Sequence, residues 1–586
     1  MRQRILFHID HGSMTNIFSK RKNRKPIIGQ KRLKKNQLLF SAVLMVQIFC
    51  FSLLAQDINK EVFVVRPYEP TLSDAKKYSF MPGSETIETT RPQFVYTVSP
   101  KRIEQGFEPE LIKPARTVAT SLPKIYKSWL KLGLGNYNTS LAEFNISNIR
   151  SKEYAFGAYL YHNASRGNIR LVNNDKVPAG YALHNINLYG KKLYSKANLS
   201  GNLRFDHSGS NYYGYNAQLF ADSVPLHDRD SLKQNTYLAG FDLGLASTFT
   251  DSLHVNYRIN ASYDYFWDKL KNKENNFVIE ASADKRFYEL HGGVDISLDY
   301  SHLDADRDTL SNTIFSISPW ISKGNSDWKF KLGLEAASDV ADISNFYFFP
   351  HANLDIIIVE DVLVPFIGLS GGLKKNNYQT LSGENHFILP GLRLKNTINN
   401  IVIFGGLRGS ISSAVRFRAD VTYTIARDMY FFVNDTLLPL QNQFTAVYDD
   451  VDLITYHGQL AWQSGNDFEI MVNGNYFDYN MLEQIKPWHK PLYEVELDAL
   501  YKLNSKFTLG TGLDIIGPRW IQDISQPEGM LKLKPVADVN LKVNYNFSKV
   551  FTLFADIYNL ADRSYMIWNQ YPSQRFNFLF GFTYKL

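Results

Sequence analysis

Residues Phe576 to Leu586 read Phe-Asn-Phe-Leu-Phe-Gly-Phe-Thr-Tyr-Lys-Leu. Phe576, Phe578, Phe580, Phe582, Tyr584 and Leu586 share one parity, while Asn577, Gly581, Thr583 and Lys585 share the other. Successive side chains of a strand point to opposite faces, so this stretch predicts a β-strand with one wholly apolar face. Six large apolar groups in a row cannot stay in water. An aromatic-rich strand of about ten residues closing a chain is what a transmembrane barrel of an outer membrane requires.

The pattern recurs upstream. Ala537, Val539, Leu541, Val543, Tyr545 and Phe547 alternate with Asp538, Asn540, Lys542, Asn544 and Asn546. Val255, Tyr257, Ile259, Ala261, Tyr263 and Tyr265 alternate with polar residues that include Arg258 and Asp264. Tyr493, Val495, Leu497, Ala499 and Tyr501 alternate with Glu494, Glu496, Asp498 and others. A soluble sandwich would show the same alternation, but its strands are about five or six residues long. These run to about ten, the length that crosses hydrocarbon at a tilt. The chain also carries 35 Tyr, 40 Phe and 8 Trp, and Tyr and Trp are the residues that belt a membrane interface.

Export is legible at the other end. Residues 1–36 hold eleven Lys and Arg against one acid, Asp10, and an uncharged run follows from Leu38 to Ala55. A basic segment, an apolar core and a small residue at the cut make a secretory signal, so residues 1–56 read as a signal peptide with a long basic leader. A signal anchor is the rival, since eighteen residues just span a bilayer; Gln47 and the terminal Ala55 favour cleavage. Of 64 basic and 57 acidic residues, 53 and 56 remain beyond the leader, a formal charge of −3. The pI near 8.9 therefore belongs mostly to the leader, and nothing is left to suggest nucleic-acid binding. Cys50, the single cysteine, lies inside the signal, so neither a disulfide nor thiolate chemistry is expected beyond it. No other stretch approaches eighteen apolar residues; Ile356 to Val359 is short and reads as a strand.

Barrels of this kind join strands by short periplasmic turns and longer outer loops. Clusters of turn formers predict ten short turns, near Arg150-Ser151, Ser195-Lys196, Asp251-Ser252, Arg286-Phe287, Gly324-Asn325, Glu360-Asp361, Ser412-Ser413, Gly465-Asn466, Asn504-Ser505 and Ser548-Lys549. Ten such turns give an all-β transmembrane antiparallel barrel of 22 strands over residues 128–586; a further turn at Thr397 to Asn399 would make 24, and the range is 20–24. Long polar stretches around residues 163–180, 208–233, 374–387, 434–443, 480–491 and 517–534 are placed outside the cell. Asp-Ser/Thr-apolar triplets begin at Asp222, Asp230, Asp251, Asp308 and Asp435. They are similar to an O-glycosylation site of one group of Gram-negative bacteria, though Asp and Ser also serve as plain turn formers.

From Val543 onward the sequence Val-Asn-Tyr-Asn-Phe-Ser-Lys-Val-Phe-Thr-Leu-Phe-Ala-Asp-Ile-Tyr-Asn-Leu-Ala-Asp-Arg-Ser-Tyr resembles the last two hairpins of TonB-dependent receptors. The step Asn559-Leu560-Ala561-Asp562 and the strand from Arg575 to Leu586 match the closing pattern of that family, as does the count of 22. The final strand also resembles the family's signal to the barrel-assembly machinery, although Leu586 stands where a terminal Phe is usual. The resemblance covers the barrel and implies outer-membrane uptake. The family's plug does not appear: only about 71 residues separate Asp57 from Lys127, and eight of the 22 prolines fall there. Proline at that density blocks helix interiors and ladder pairing, so residues 57–127 read as an extended Pro-rich segment, periplasmic or lumenal. Within it Glu61-Val62-Phe63-Val64-Val65 resembles the short box that a TonB-type protein pairs with by strand addition. A 22-stranded lumen needs filling. That segment, the outer loops or a partner must close it.

Three functions compete. A channel or uptake barrel, porin-like or receptor-like, uses the lumen, where Arg258, Asp264, Glu494, Glu496, Asp498, Asp538 and Lys542 select permeants by their field. A structural or assembly scaffold uses residues 57–127 to reach a periplasmic or surface partner. An enzyme finds little support, with no nucleophile elbow and no His-x-x-x-His spacing. His489, in Pro487-Trp488-His489-Lys490, has acids Glu483 and Glu494 near it in sequence, but an interfacial Trp with a loop His is the simpler reading. Transport is favoured, with outer-membrane lipid as surroundings and no cofactor, metal or catalytic residue expected.

Overall fold

The computed structural model describes residues 126–586 except 149–150, 173, 216–231, 250–252, 306–307, 342, 439 and 524–525. The signal, the Pro-rich segment up to residue 125 and its pentapeptide at 61–65 lie outside the described residues. From Ser128 onward the chain forms one 22-stranded antiparallel sheet, closed where the first strand, Ser128–Gly135, pairs with the last, Asn577–Lys585. The register at this closure runs from Trp129 opposite Lys585 to Gly135 opposite Leu579.

Ten connections lie at the end that carries Ser128 and Lys585, each joining strands that flank a predicted turn; residues 149–150 and 250–252 of two of them lie outside the described residues. One is displaced: Arg286 and Phe287 finish the strand Lys273–Phe287, and the turn is Tyr288-Glu289, with Tyr288 at a φ of +53°. The extra turn near Thr397 does not exist, because Thr397–Ser412 is one continuous strand paired along both edges. The apolar run after Ile356 is not strand either; it is the short turn before Val364, held by a Val359–Leu363 bridge. Short turns mark the periplasmic end, so the opposite end faces outward from the cell.

The alternation decides which side meets lipid. Leu134 is 72% exposed and Phe580, its register partner, 54%. Their neighbours of opposite parity point into the lumen, and there the closing strand departs from expectation. Leu579 is buried with Leu141 and Phe554, so the inner face is not wholly polar. Gly133 and Gly581 oppose each other in register, and the Phe554 ring covers both. A Cβ at Gly581 would stand 1.9 Å from the Leu132 carbonyl oxygen and 2.6 Å from the Phe554 ring. Parity alone would make Gly581 a tolerant lumen position; the seam makes it a close-packed one. Lys131 completes the seam, 3.6 Å from Glu143, 3.9 Å from Asp556 and 4.4 Å above the Phe554 ring.

Two strands are far longer than a bilayer needs, Val415–Asn434 with 20 residues and Phe444–Ser464 with 21. At about 3.3 Å per residue they overhang a hydrocarbon core of about 30 Å. Their outer ends are deeply buried, with Phe431, Phe432 and Phe444 at 0–1% exposure.

A charge on the lipid-facing side near mid-bilayer costs about 2–4 kcal/mol. Phe580→Lys is therefore expected to deplete the heat-modifiable folded band on unboiled gels, and Gly581→Ala to deplete it as well through the seam. A normal folded level for Gly581→Ala, with Thr583→Ser as the neutral control, refutes the seam argument.

Candidate functional site

The site is built from loops that fold inward across the outer mouth. Its centre is the connection from Lys374 to Thr397, which the sequence reading places outside as a polar loop. It carries a seven-residue helix, Tyr378–Glu384, hereafter α1. Asn377 caps α1 by accepting from the Thr380 amide, and the Thr380 hydroxyl closes the capping box by accepting from the Asn377 amide. The other free amides are met from the barrel wall. The buried Glu274 carboxylate accepts from Tyr378 N at 3.1 Å and Gln379 N at 2.8 Å, an acid where the helix dipole favours one. Asp268, on the neighbouring strand Asn256–Asp268, accepts from the Tyr378 hydroxyl (3.2 Å), the Asn272 amide (2.9 Å) and Gln234 (3.1 Å). Gln379 donates to Asp264, which Arg204 bridges to Asp242.

The far end of α1 is bound to other walls. Glu384 pairs with Lys490 at 2.9 Å and accepts from the Tyr430 hydroxyl, and the Lys490 ammonium lies 4.7 Å over the Tyr430 ring. Beyond α1 the segment Phe387 to Leu389 runs beside the start of Phe444–Ser464, with Phe444 N donating to Phe387 O and Leu389 N to Phe444 O, each at 2.9 Å. Phe387 then stacks on Tyr571 with centroids 3.6 Å apart, and Tyr213 meets Tyr571 edge-on at 4.9 Å. Tyr571 belongs to the connection between Phe551–Tyr558 and Asn577–Lys585, Tyr213 to the connection after Ala197–Asn211. One loop thus touches the wall at residues 264–276 and 430–444 and a neighbouring outer loop at Tyr571. It lies across the mouth as a lid. Tyr378, Leu381, Phe387, Ile388 and Leu392 form its buried apolar underside.

His489, next in sequence to Lys490, ties the neighbouring outer loop to the wall. Its Nδ1–H donates to Phe432 O at 2.8 Å and its Nε2 accepts from Asn569 N–H at 3.4 Å, a pattern only the neutral ring satisfies. Burial, with Arg519 and Lys490 nearby, lowers its pKa to about 3. Burial acts to raise Glu384, yet the Lys490 ammonium and the Tyr430 hydroxyl outweigh it and hold the carboxyl below the ordinary glutamate value.

No family model matches the chain, and no curated protein matches it. Solved structures do. The siderophore receptor PirA from Acinetobacter baumannii aligns at 12% identity over 80% of this chain and 81% of its own, with a TM-score of 0.62. The FrpB iron transporter from Neisseria meningitidis (F3-3 variant) aligns at 10% identity over 79% and 82%, with a TM-score of 0.63. The copper transporter OprC gives 11%, 79%, 82% and 0.56. The fold is that of outer-membrane transport receptors. The barrel belongs in the outer membrane, and the resemblance to TonB-dependent receptors holds at the level of fold.

The seven lumen charges of the sequence reading all have inward parity but do not form one site. Arg258 lines a wall cavity of about 580 Å³ with Glu280, Asp295, Lys331, Glu335 and His351. Asp498 and Lys542 line another, of about 260 Å³. Asp264 is committed to Arg204 and Gln379, and Asp538 accepts from the Tyr565 hydroxyl at 2.8 Å. Glu496 faces Asp514 in register, and Glu494 sits one residue inside the outer end of Tyr493–Lys502. His489 touches neither Glu483 nor Glu494 in any hydrogen bond, so the acid-histidine pairing has no geometry. Among the described residues no group of three His, Cys, Asp or Glu side chains is placed to hold a metal. Asp435 acts as a turn former, its Oδ1 accepting from Leu437 N and Leu438 N at 2.9 Å, while Asp308 begins a strand. The triplets at 222, 230 and 251 rest on residues outside the described ones.

Sequence reasoning missed Glu274, Asp268, Glu384 and Lys490 as partners, since each pair is separated by about a hundred residues. Removing one member of a buried ion pair costs about 3–5 kcal/mol. Lys490→Met is thus expected to raise hydrogen exchange across residues 378–394, and Glu384→Gln with Lys490→Met to recover much of the protection. Equal exchange in wild type and Lys490→Met refutes the lock.

Acid should loosen the neighbouring outer loop that carries His489. The ring of His489 has a lower pKa in the packed loop than the ordinary 6.5 it regains when released, so the open form binds more protons between pH 6.5 and 3. Stability is full above 6.5 and falls with pH through that window. Exchange at residues 482–492, corrected for intrinsic rate, is expected to be faster at pH 5 than at pH 7.5, and His489→Asn to flatten the difference.

Proposed function

We propose that this chain is an outer-membrane uptake receptor, in which the lid over the outer mouth engages a solute and the lumen passes it inward. The observation that carries the reading is the lid itself: one outer loop buried against two separate parts of the wall and against neighbouring outer loops, where a diffusive pore would keep its mouth open. The wall cavities, lined by charges of both signs, suit a polar solute rather than an apolar one. The transport receptors of like fold support the general reading without naming a solute. In this proposal residues 1–56 are removed on export, residues 57–127 reach the periplasmic side or the lumen and meet a TonB-type protein, and residues 128–586 are the barrel.

Planar-bilayer recording tests the lid. Replacing residues 376–395 by a short Gly-Ser bridge is expected to convert a silent or weakly conducting barrel into one with large steady currents, and to sensitise cells to bulky antibiotics. Unchanged conductance in a variant that remains heat-modifiable overturns the lid as gate. Deleting residues 57–120 separates uptake from the scaffold reading. Loss of solute uptake supports the receptor, whereas release of a co-purifying periplasmic protein with uptake and permeability unchanged supports the scaffold.

A further inference from the structure

Three histidines stand side by side on the lipid-facing surface, away from the lumen. His162, His184 and His207 are direct register partners on the neighbouring strands Tyr154–Ser165, Tyr181–Leu193 and Ala197–Asn211. They share the outward parity of Leu160, Ile186 and Leu203, all more than a third exposed. The Nδ1 atoms of His162 and His184 are 3.1 Å apart, with ring centroids at 4.8 Å. His207 stacks on His184, centroids 5.2 Å apart and planes 22° from parallel. The ladder of rings continues through Tyr237 to Trp267, at 4.7 and 5.3 Å.

The next outward row toward the outer end frames these rings. It reads Ser140, Ala164, Ala182, Gly209 and Asn235 in unbroken register. Its two ends are polar and touch the ring nitrogens. Ser140 Oγ lies 2.9 Å from His162 Nε2, and Asn235 Oδ1 accepts from His207 Nε2–H at 3.3 Å. Between them come two alanines and a glycine. A Cβ at Gly209 would meet Asn235 Oδ1 at 3.0 Å and the His207 ring at 3.7 Å. No bulky side chain of that row stands between the His162–His184 pair and the outer ends of their strands, three residues away. On the periplasmic side the outward face turns to Leu160, Ile186 and Phe205.

With no ion present, one Nδ1–H of the pair donates to the other Nδ1. The same spacing suits a cation. Two imidazole nitrogens bound at about 2.0–2.1 Å span that distance when they subtend about 100° at the ion, an angle between square-planar and tetrahedral coordination. Imidazole suits copper and zinc, and copper(II) binds nitrogen sites more tightly than zinc does. A ligating histidine typically donates its other N–H to an oxygen, and Ser140 Oγ stands ready for His162. We propose that His162 and His184 form a two-histidine site for a divalent transition ion, both Nδ1 atoms acting as ligands and water filling the remaining positions. The ion takes the place of the proton between the two Nδ1 atoms. That proton passes through water to Nε2 of the ring that held it, so both ligands stay neutral imidazoles. Ser140 and His207 are positioning residues: one fixes the His162 tautomer, the other the plane of His184. The site lies outside the lumen and is independent of the uptake reading.

The test titrates the full chain, extracted in mild detergent and stripped with EDTA, with copper(II) chloride. Calorimetry reads the affinity, and electron paramagnetic resonance at one equivalent counts the bound nitrogens. Wild type is expected to show the splitting pattern of two imidazole nitrogens. Ser140→Ala removes only the acceptor and is expected to bind about tenfold more weakly with the two-nitrogen pattern kept. His184→Leu is expected to lose that pattern and more affinity than Ser140→Ala, at an undiminished folded level, since leucine suits the outward face. His302→Leu, at an outward histidine whose register partners are Asn275 and Ser311, is expected to change nothing. A one-nitrogen pattern in wild type overturns the proposal, as does equal affinity in wild type and His184→Leu. Should a variant fail to assemble, the nitrogen count of the wild type decides.

Discussion

Backbone hydrogen bonding under lipid is the constraint on which everything else depends. Hydrocarbon offers no partner to a free N–H or C=O, so a sheet in a membrane must close on itself. Here closure is one pairing, Ser128–Gly135 with Asn577–Lys585, between strands more than 440 residues apart in sequence. Such a pairing forms only if the two backbones come close without steric cost. Gly133 and Gly581 supply the room, and the Phe554 ring refills what two missing side chains leave open. Lys131, held by Glu143 and Asp556, satisfies the polar side of the seam.

Once closed, 22 strands enclose a lumen too wide for wall side chains to fill. The outer loops answer this at one end. The cost of burying Glu274, Asp268, Glu384 and Lys490 is met by saturating each with partners: helix amides for Glu274, a tyrosine, a glutamine and an asparagine for Asp268, and one another for Glu384 and Lys490. Such polar locks carry specificity rather than raw stability, because an isosteric apolar pair would often be as stable. Specificity is what a lid needs. It must rest in one closed arrangement and still release when binding supplies a few kcal/mol. His489 fits the same logic, held neutral by two backbone contacts that no charged ring could make together.

The lipid-facing surface obeys a simpler rule, in which side chains report their depth. Leucine and isoleucine occupy the middle of the outward face, and a ladder of histidine, tyrosine and tryptophan begins where hydrocarbon ends. The row His162, His184, His207, Tyr237 and Trp267 marks that boundary.

The barrel was legible in the chain because period 2 is a local signal and the outward face of each strand must be apolar over about ten residues. The places of the ten inner connections, the strand beginning at Ser128 and the count of 22 follow from that and from turn chemistry, with the turn after Phe287 two residues beyond its expected place. Inward parity was legible for Arg258, Asp264, Asp498 and Lys542, and so was the polar character of the outer loops. The lid was not. Its helix is short, its capping box uses Asn377 and Thr380 instead of the Ser/Thr-to-Glu pattern, and its anchors lie about a hundred residues away. Nor could alternation reveal that Gly581 lies beneath Phe554, since parity gives a face and not a distance. Periodicity along a strand determines what is in and what is out, while only the closed sheet determines which inward groups meet, because closure brings together residues that no local pattern relates.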